Sequence, residues 1–177
     1  MKYKKTSATC SVMTIIGIVM SMNSGLRTNQ EGLELIGGAE SCQREPYYCP
    51  AGVFTDGMGN THDVIAGTKK TDQQIASDWI KNIKEAESCV LRSFNGAEMN
   101  TNQFSAMTSA AFNIGCKGLL TYRNNKGQLL QTTISKHAQA RRFSQMCERL
   151  PDFNKSGGKE LKGLTVRRDK EKALCLK

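Results

Sequence analysis

The 177-residue sequence has no run in which basic and aromatic side chains alternate to stack nucleic-acid bases, which argues against nucleic acid as a partner. No two cysteines have the short spacing of a structural zinc site, and the only histidines are His62 and His137, so no metal site is expected. There is no internal repeat and no low-complexity tract. Acidic residues are in the minority: 16 Asp and Glu face 25 Lys and Arg, for a formal charge of +9. A basic surface favours acidic polymers such as nucleic acid, anionic lipid or the bacterial envelope, and charge alone does not choose among them. The length suits one domain with a short extra segment, and it can bury a core without disulfides. Seven cysteines therefore point to an oxidising compartment rather than to a folding need, and their odd number leaves at least one thiol over.

Charge is also missing from Thr6 to Leu26, 21 residues preceded by Lys2, Lys4 and Lys5. At about 1.5 Å per residue such a helix could span a hydrocarbon core of about 30 Å. Only Val12–Met20 is strongly apolar, because Ser, Thr, Asn and Gly dilute the remainder. The lysines would keep the N-terminus in the cytoplasm and place the domain outside. Three fates are open: a cleaved signal peptide, a permanent anchor, or an uncleaved export signal that later leaves the membrane. Cys10 lies within the segment and has no evident use if the segment is discarded.

Beyond Arg27 the pattern predicts an α+β fold, mainly helical, with a small β-containing lobe. A helix is expected near Glu31–Ser41, followed by short strands and turns through Cys49–Thr61. Thr71–Phe94 is the clearest helix: Thr71 and Gln74 form a capping box, and Ile75, Trp79, Ile83, Ala86, Val90 and Phe94 share one face. Asn95–Asn102 is a polar break, and Gln103–Asn113 reads as a buried helix of small residues. Ser135–Leu150 and Val166–Leu176 read as amphipathic helices, separated by a loop from Pro151 to Lys162 with a Gly157-Gly158 turn.

The chemistry concentrates between Glu40 and Thr61. Glu40 ends a candidate helix beside Leu33, Leu35 and Ile36, and a carboxyl held near apolar surface can stay protonated and act as an acid. Cys49 and Thr55 lie on the turn-rich segment, and a thiol and a hydroxyl can both hydrogen-bond a water molecule. Cleaving an acetal needs both provisions: a proton for the departing sugar oxygen and a group that manages water. Spacing alone equally allows an exposed Glu at a helix end and a structural cysteine.

Glu40-x8-Cys49-x5-Thr55 resembles the Glu-x8-Asp/Cys-x5-Thr pattern of phage lysozymes in glycoside hydrolase family 24. The same resemblance extends through Pro50-Ala-Gly-Val-Phe-Thr55, Gly57-x-Gly59-x-Thr61, Ser105–Gly115 and Gly163–Cys175. It covers about residues 29–177. It implies a lysozyme-like two-lobed domain over 29–177 with a long connecting helix, preceded by an N-terminal membrane-targeting helix over 1–28. More narrowly, the chain is similar to signal-arrest-release endolysins with a cysteine at the central catalytic position. The implied reaction is hydrolysis of β-1,4 bonds between N-acetylmuramic acid and N-acetylglucosamine, with no cofactor. Glu40 is then the general acid, Cys49 stands where Asp is usual, and Thr55 positions water. A thiol with a pKa of about 8.5 is mostly protonated at neutral pH, so Cys49 acts either as a base of lowered pKa or by orienting water. Asn60 stands where many relatives carry His, so an ion pair made by that His should be absent. Asp56 replaces a common apolar residue.

The resemblance also implies a switch in which a Cys42–Cys49 bridge blocks the site until Cys10 attacks Cys42, leaving Cys10–Cys42 and a Cys49 thiol. An ordinary structural Cys42–Cys49 bridge is the plainer alternative. Cys89, Cys116, Cys147 and Cys175 permit three pairings or may be buried thiols. Arg141, Arg142, Arg167 and Arg168 could hold an acidic polymer or form solvated helix faces. The expected partners are peptidoglycan strands and, through the N-terminal segment, the inner membrane. The enzyme is expected as a monomer that faces the periplasm from the host inner membrane and is then released. Two other functions remain open: a cell-wall peptidase or amidase using Cys49 and His62, and a non-catalytic envelope-binding membrane protein.

Overall fold

The computed structural model describes residues 9–49 and 52–177. Lys2, Lys4, Lys5, Pro50 and Ala51 lie outside them. The chain divides into two compact units, one containing residues 9–24 and Gly37–Asn82, the other Gly25–Ile36 and Ile83–Lys177.

In the first unit, α1 (Val12–Ser21) starts where the Ser11 hydroxyl accepts from the Thr14 N–H, satisfying one of the donors that a helix N-terminus leaves open. Ile15, Ile16 and Val19 are buried while Met13 and Met20 are exposed, so one face of the uncharged segment is packed and the other is solvated. No helix among the described residues is long and apolar enough to cross a membrane. α2 (Gln30–Gly37) ends at the boundary between the units. A Cβ at Gly37 would fall 2.9 Å from Val12 Cγ1 and 3.1 Å from Met58 Cε, so α1 and Met58 approach this backbone more closely than a side chain allows.

The strands β1 (Gln43–Tyr48) and β2 (Phe54–Gly57) form an antiparallel hairpin. Its first strand begins before the expected Cys49–Thr61 region. Tyr47 pairs with Thr55, Tyr48 pairs with Phe54, and the register shifts between Gln43 and Tyr47. Pro46 lies in that irregular stretch, where its missing N–H costs no ladder bond. The rings of Tyr48 and Phe54 meet at 5.0 Å, a cross-strand pair of the kind that stabilises hairpins. The long helix α3 (Asp72–Ser93) begins in this unit and ends in the other. Its capping box is made as expected: the Thr71 N–H donates to Gln74 Oε1 at 2.8 Å, and the Gln74 N–H donates to Thr71 Oγ1 at 3.3 Å. All six residues of the predicted apolar face are buried.

The second unit is built around α4 (Thr101–Ile114), in which Phe104 through Ala111 are all buried. Its polar members are satisfied: Ser105 donates to the Thr101 carbonyl at 2.7 Å, Thr108 to the Phe104 carbonyl at 2.9 Å, and Ser109 to Glu171 at 2.6 Å. The chain continues through α5 (Cys116–Leu120), a hairpin of β3 (Thr121–Arg123) and β4 (Leu129–Gln131), then α6 (Thr133–Gln139) and α7 (Phe143–Glu148). The single helix expected over 135–150 is thus two helices, broken where Arg141 adopts a left-handed φ of 58°. A short hairpin, β5 (Lys155–Ser156) with β6 (Lys159–Glu160), turns at Gly157-Gly158 as expected, and α8 (Lys162–Cys175) follows, four residues earlier than predicted.

Disulfides join Cys89 to Cys116 and Cys147 to Cys175. Arg168 and Glu171 are both fully buried on α8, with Arg168 Nε 2.7 Å and Arg167 Nε 3.3 Å from the carboxylate. Burial pushes the Glu171 carboxyl pKa up against the pull of Arg168, and it pushes the Arg168 guanidinium down against the pull of Glu171. Arg167 and Arg168 therefore belong to the interior and cannot be surface contacts for an acidic polymer. At the entry to α2, the N–H groups of Arg27 and Thr28 and the Thr28 hydroxyl all donate to Glu87 Oε1, at 2.7–2.8 Å. The Arg27 guanidinium donates to the carbonyls of Gly96 and Met99 and lies 4.2 Å over the Phe104 ring, a cation–π contact.

Candidate active site

Glu40 lies just beyond α2 rather than on it: the helix stops at Gly37, and the Glu40 N–H donates to the Gly37 carbonyl at 3.1 Å. Its side chain is half-buried. The turn that follows β2 comes up against this carboxylate. A Cβ on Gly59 would sit 3.0 Å from Glu40 Oε2, and Gly59 has φ 75°, so glycine is needed there both for space and for backbone conformation.

Cys49 and Thr55 stand on the two arms of the β1–β2 hairpin. The Cys49 N–H donates to the Val53 carbonyl at 3.0 Å, and the Gly52 N–H donates to the Cys49 carbonyl at 2.8 Å, closing the connection. Thr55 is buried, and its hydroxyl donates to the Val53 carbonyl at 2.9 Å. That bond holds the hydroxyl in one orientation and leaves its lone pairs to accept a hydrogen bond from another group. One hairpin and the turn after it thus carry Thr55, Cys49 and the backbone that touches Glu40.

Cys10 is bonded to Cys42, with Cα atoms 5.1 Å apart. The Cys10 N–H also donates to the Cys42 carbonyl at 3.0 Å, and Thr9 bridges to Gln43. The chain before α1 therefore runs alongside the start of β1. The thiol of Cys49 takes part in none of the three bridges.

Asp56 proves to be a centre of organisation. It is fully buried, and its backbone exchanges two 2.9 Å hydrogen bonds with Asn60, closing the turn. Asn60 Nδ2 donates to Asp56 Oδ1 and to the His62 carbonyl, each at 2.8 Å. Lys70 Nζ lies 2.7 Å from Asp56 Oδ2 and 2.8 Å from Asp78 Oδ2. Burial works against the Lys70 charge, but hydrogen bonds and Coulomb attraction from Asp56 and Asp78 prevail and hold its pKa above the usual lysine value. The neutral Asn60 makes no ion pair, as expected, yet the same turn is pinned by an ion pair that Lys70 supplies. The one signal in the sequence was Asp56 in a place usually apolar, since a buried carboxylate requires a cation; nothing in the spacing pointed to Lys70.

His62 is exposed, and its described hydrogen bonds are made by its backbone to Asn60. Among the described residues no group of three or more His, Cys, Asp or Glu could hold a metal ion.

The phage lysozyme family model matches residues 37–171. The SAR-endolysin of Escherichia phage P1 is 56% identical over 170 residues, 96% of this chain and 91% of the relative. The SAR-endolysin of Haemophilus phage HP1 is 45% identical over 174 residues, 94% of each. The crystal structure of the active form of the P1 phage endolysin Lyz superposes with a TM-score of 0.91 at 55% identity, covering 97% of this chain and 96% of that one. Its secreted inactive form gives 0.64 at 57% identity, covering 84% and 95%. The chain belongs to the phage lysozyme family.

Proposed function

We propose that this lysozyme cleaves the β-1,4 bond between N-acetylmuramic acid and N-acetylglucosamine with Glu40, Cys49 and Thr55, and that its cysteines govern when it does so. Glu40 gives its proton to the departing sugar oxygen, and positive charge develops at the anomeric carbon. Thr55, oriented by its bond to Val53, accepts a hydrogen bond from the attacking water, and Cys49 either orients that water or takes its proton as a thiolate. The observation that carries this reading is that the hairpin carrying Cys49 and Thr55 leads directly into the turn whose Gly59 meets the Glu40 carboxylate. Glu40→Gln should fold, keep its disulfides and lose at least about 100-fold in the release of new reducing ends from purified sacculi. Activity within a few-fold of wild type would overturn the assignment. His62→Ala should leave the rate nearly unchanged, as a lysozyme requires and a Cys–His peptidase would not.

The released enzyme is the state with Cys10 bonded to Cys42, and the silent state has Cys42 bonded to Cys49. The N-terminal segment, residues 1–28, holds the chain at the host inner membrane facing the periplasm, and its departure brings Cys10 to Cys42. The thiolate of Cys10 attacks the sulfur of Cys42, the Cys42–Cys49 bond breaks, and Cys49 leaves as the thiolate. The Cys10–Cys42 bridge of this structure and its closer likeness to the active form of the P1 enzyme support this order. Cys10→Ser should reach the periplasm yet stay inactive until reductant is added, whereas Cys42→Ser should be active without exchange. Cys49→Asp should be active and resist thiol-modifying reagents.

A further inference from the structure

We propose that Lys70 is a positioning residue for hydrolysis, acting through Asp56 to fix the strand that carries Thr55 and the turn that meets Glu40. The inference rests on the assignment of Glu40 and Thr55 above. Lys70 is attached to both strands of the catalytic hairpin: its N–H donates to the Arg44 carbonyl on β1 at 2.9 Å, and its ammonium contacts Asp56 on β2 at 2.7 Å. Its second carboxylate partner, Asp78, belongs to the first half of α3. Arg44 adds a parallel tie to Asp72 in the first turn of the same helix, at 2.7 Å. The hairpin is thereby tied through Lys70 and Arg44 to the start of α3 by three ion pairs and a backbone hydrogen bond.

Asp56 passes that restraint to the site in two directions. Backward, it is bonded covalently to Thr55. Forward, its paired backbone bonds to Asn60 close the turn containing Gly57, Met58 and Gly59, and Gly59 is the residue against the Glu40 carboxylate. Any displacement of Asp56 must therefore move the water-positioning hydroxyl, the backbone beside the acid, or both. A buried carboxylate stripped of its cation would be driven to move or to take up a proton. A small misplacement of reacting groups lowers the rate steeply, while substrate binding, spread over many contacts, changes little.

The test uses the full-length chain with the Cys10–Cys42 bridge verified by mass mapping, assayed for new reducing ends over a range of sacculus concentrations. Lys70→Met keeps the length of the side chain and removes its charge. Its kcat should fall about 10- to 100-fold with apparent KM within about two-fold of wild type, at a temperature where circular dichroism shows it folded. Lys70→Arg, which can still bridge both carboxylates, should recover most of the loss. A folded Lys70→Met with wild-type kcat overturns the proposal, as does a loss that Arg does not repair. If Lys70→Met fails to fold, Asp78→Asn decides the matter: it leaves Lys70 on Asp56 but loosens the tie to α3, and its kcat should also drop, whereas an unchanged kcat refutes the role. Thr55→Val is the control on the site itself. An active Thr55→Val would remove the site assignment, while an inactive Thr55→Val beside a fully active Lys70→Met would remove only the positioning role.

Discussion

The two units are stabilised by different means. The unit containing Glu40, Cys49 and Thr55 relies on conditional interactions: a disulfide to the N-terminal segment, ion pairs at Lys70 and Arg44, and turns in which glycine is obligatory. The other is a packed helical core with two internal bridges and a dry Arg–Glu pair on α8. Interactions that depend on redox state or charge can be switched, and apolar packing cannot. The residues proposed for catalysis and for the cysteine switch all lie in the first unit, while the second contributes permanence.

The comparison can be broken most severely on α8. Arg168→Met or Glu171→Ala strands a charged partner in the interior and should cost about 3–5 kcal/mol in urea unfolding. A loss below about 1 kcal/mol would mean that water reaches the pair and that the second unit is less dry than its burial implies. Removing the fully internal bridge with Cys147→Ser and Cys175→Ser should cost about 2–4 kcal/mol. Under limiting reductant, mass mapping should find Cys10–Cys42 opened before Cys147–Cys175, because Cys10 is partly accessible and Cys147 and Cys175 are not. The reverse order would erase the distinction between conditional and permanent bridges.

A smaller effect lies in alkaline solution. The Lys70 pKa is raised on folding, so its stabilisation is fully present below the unfolded lysine pKa of about 10.4. It is lost as pH climbs through the higher folded value. Wild type should therefore lose an increment of stability above that pH which Lys70→Arg retains, read from denaturant midpoints in parallel. Parallel curves for the two would show that the ammonium is not the stabilising group. The smallest effect belongs to the exposed Arg141–Glu98 pair: Arg141→Gln should leave the unfolding midpoint unchanged within error.

Legibility in the sequence followed the range of the interactions. The connecting helix, its capping box and the buried face of α4 are local patterns, repeated every three or four residues, and all were readable. The break between α6 and α7 was not, because it depends on a left-handed Arg141, a conformation with no residue preference for arginine to announce it. The β3–β4 hairpin was unassigned, its three-residue strands being too short to set up an alternating pattern. Glu40, Cys49 and Thr55 are proposed from a motif with fixed spacing, and the structure places the latter two on one hairpin and its connection. Lys70 was missed because its partners are 14 residues before it and 8 residues after it, with no periodicity to join them. Arg167 and Arg168 read as possible surface charges because arginine is usually exposed; Glu171, one turn further along α8, and Ser109, close by only in space, make their burial possible.

The half-buried α1 constrains how this protein can evolve. Ile15, Ile16 and Val19 are needed by a folded interior, and the Thr, Ser and Gly residues around them let the opposite side tolerate water. For a segment proposed to reside first in lipid and later in a soluble fold, each substitution is judged in two solvents. A change from Thr14 or Gly17 to Leu would deepen the hold of the bilayer and delay lysis, whereas Ile15→Ser would hasten escape but deprive the freed enzyme of part of its core. On that proposal, drift in these ten positions is bounded on both sides, and the timing of lysis depends on the same residues that complete the fold.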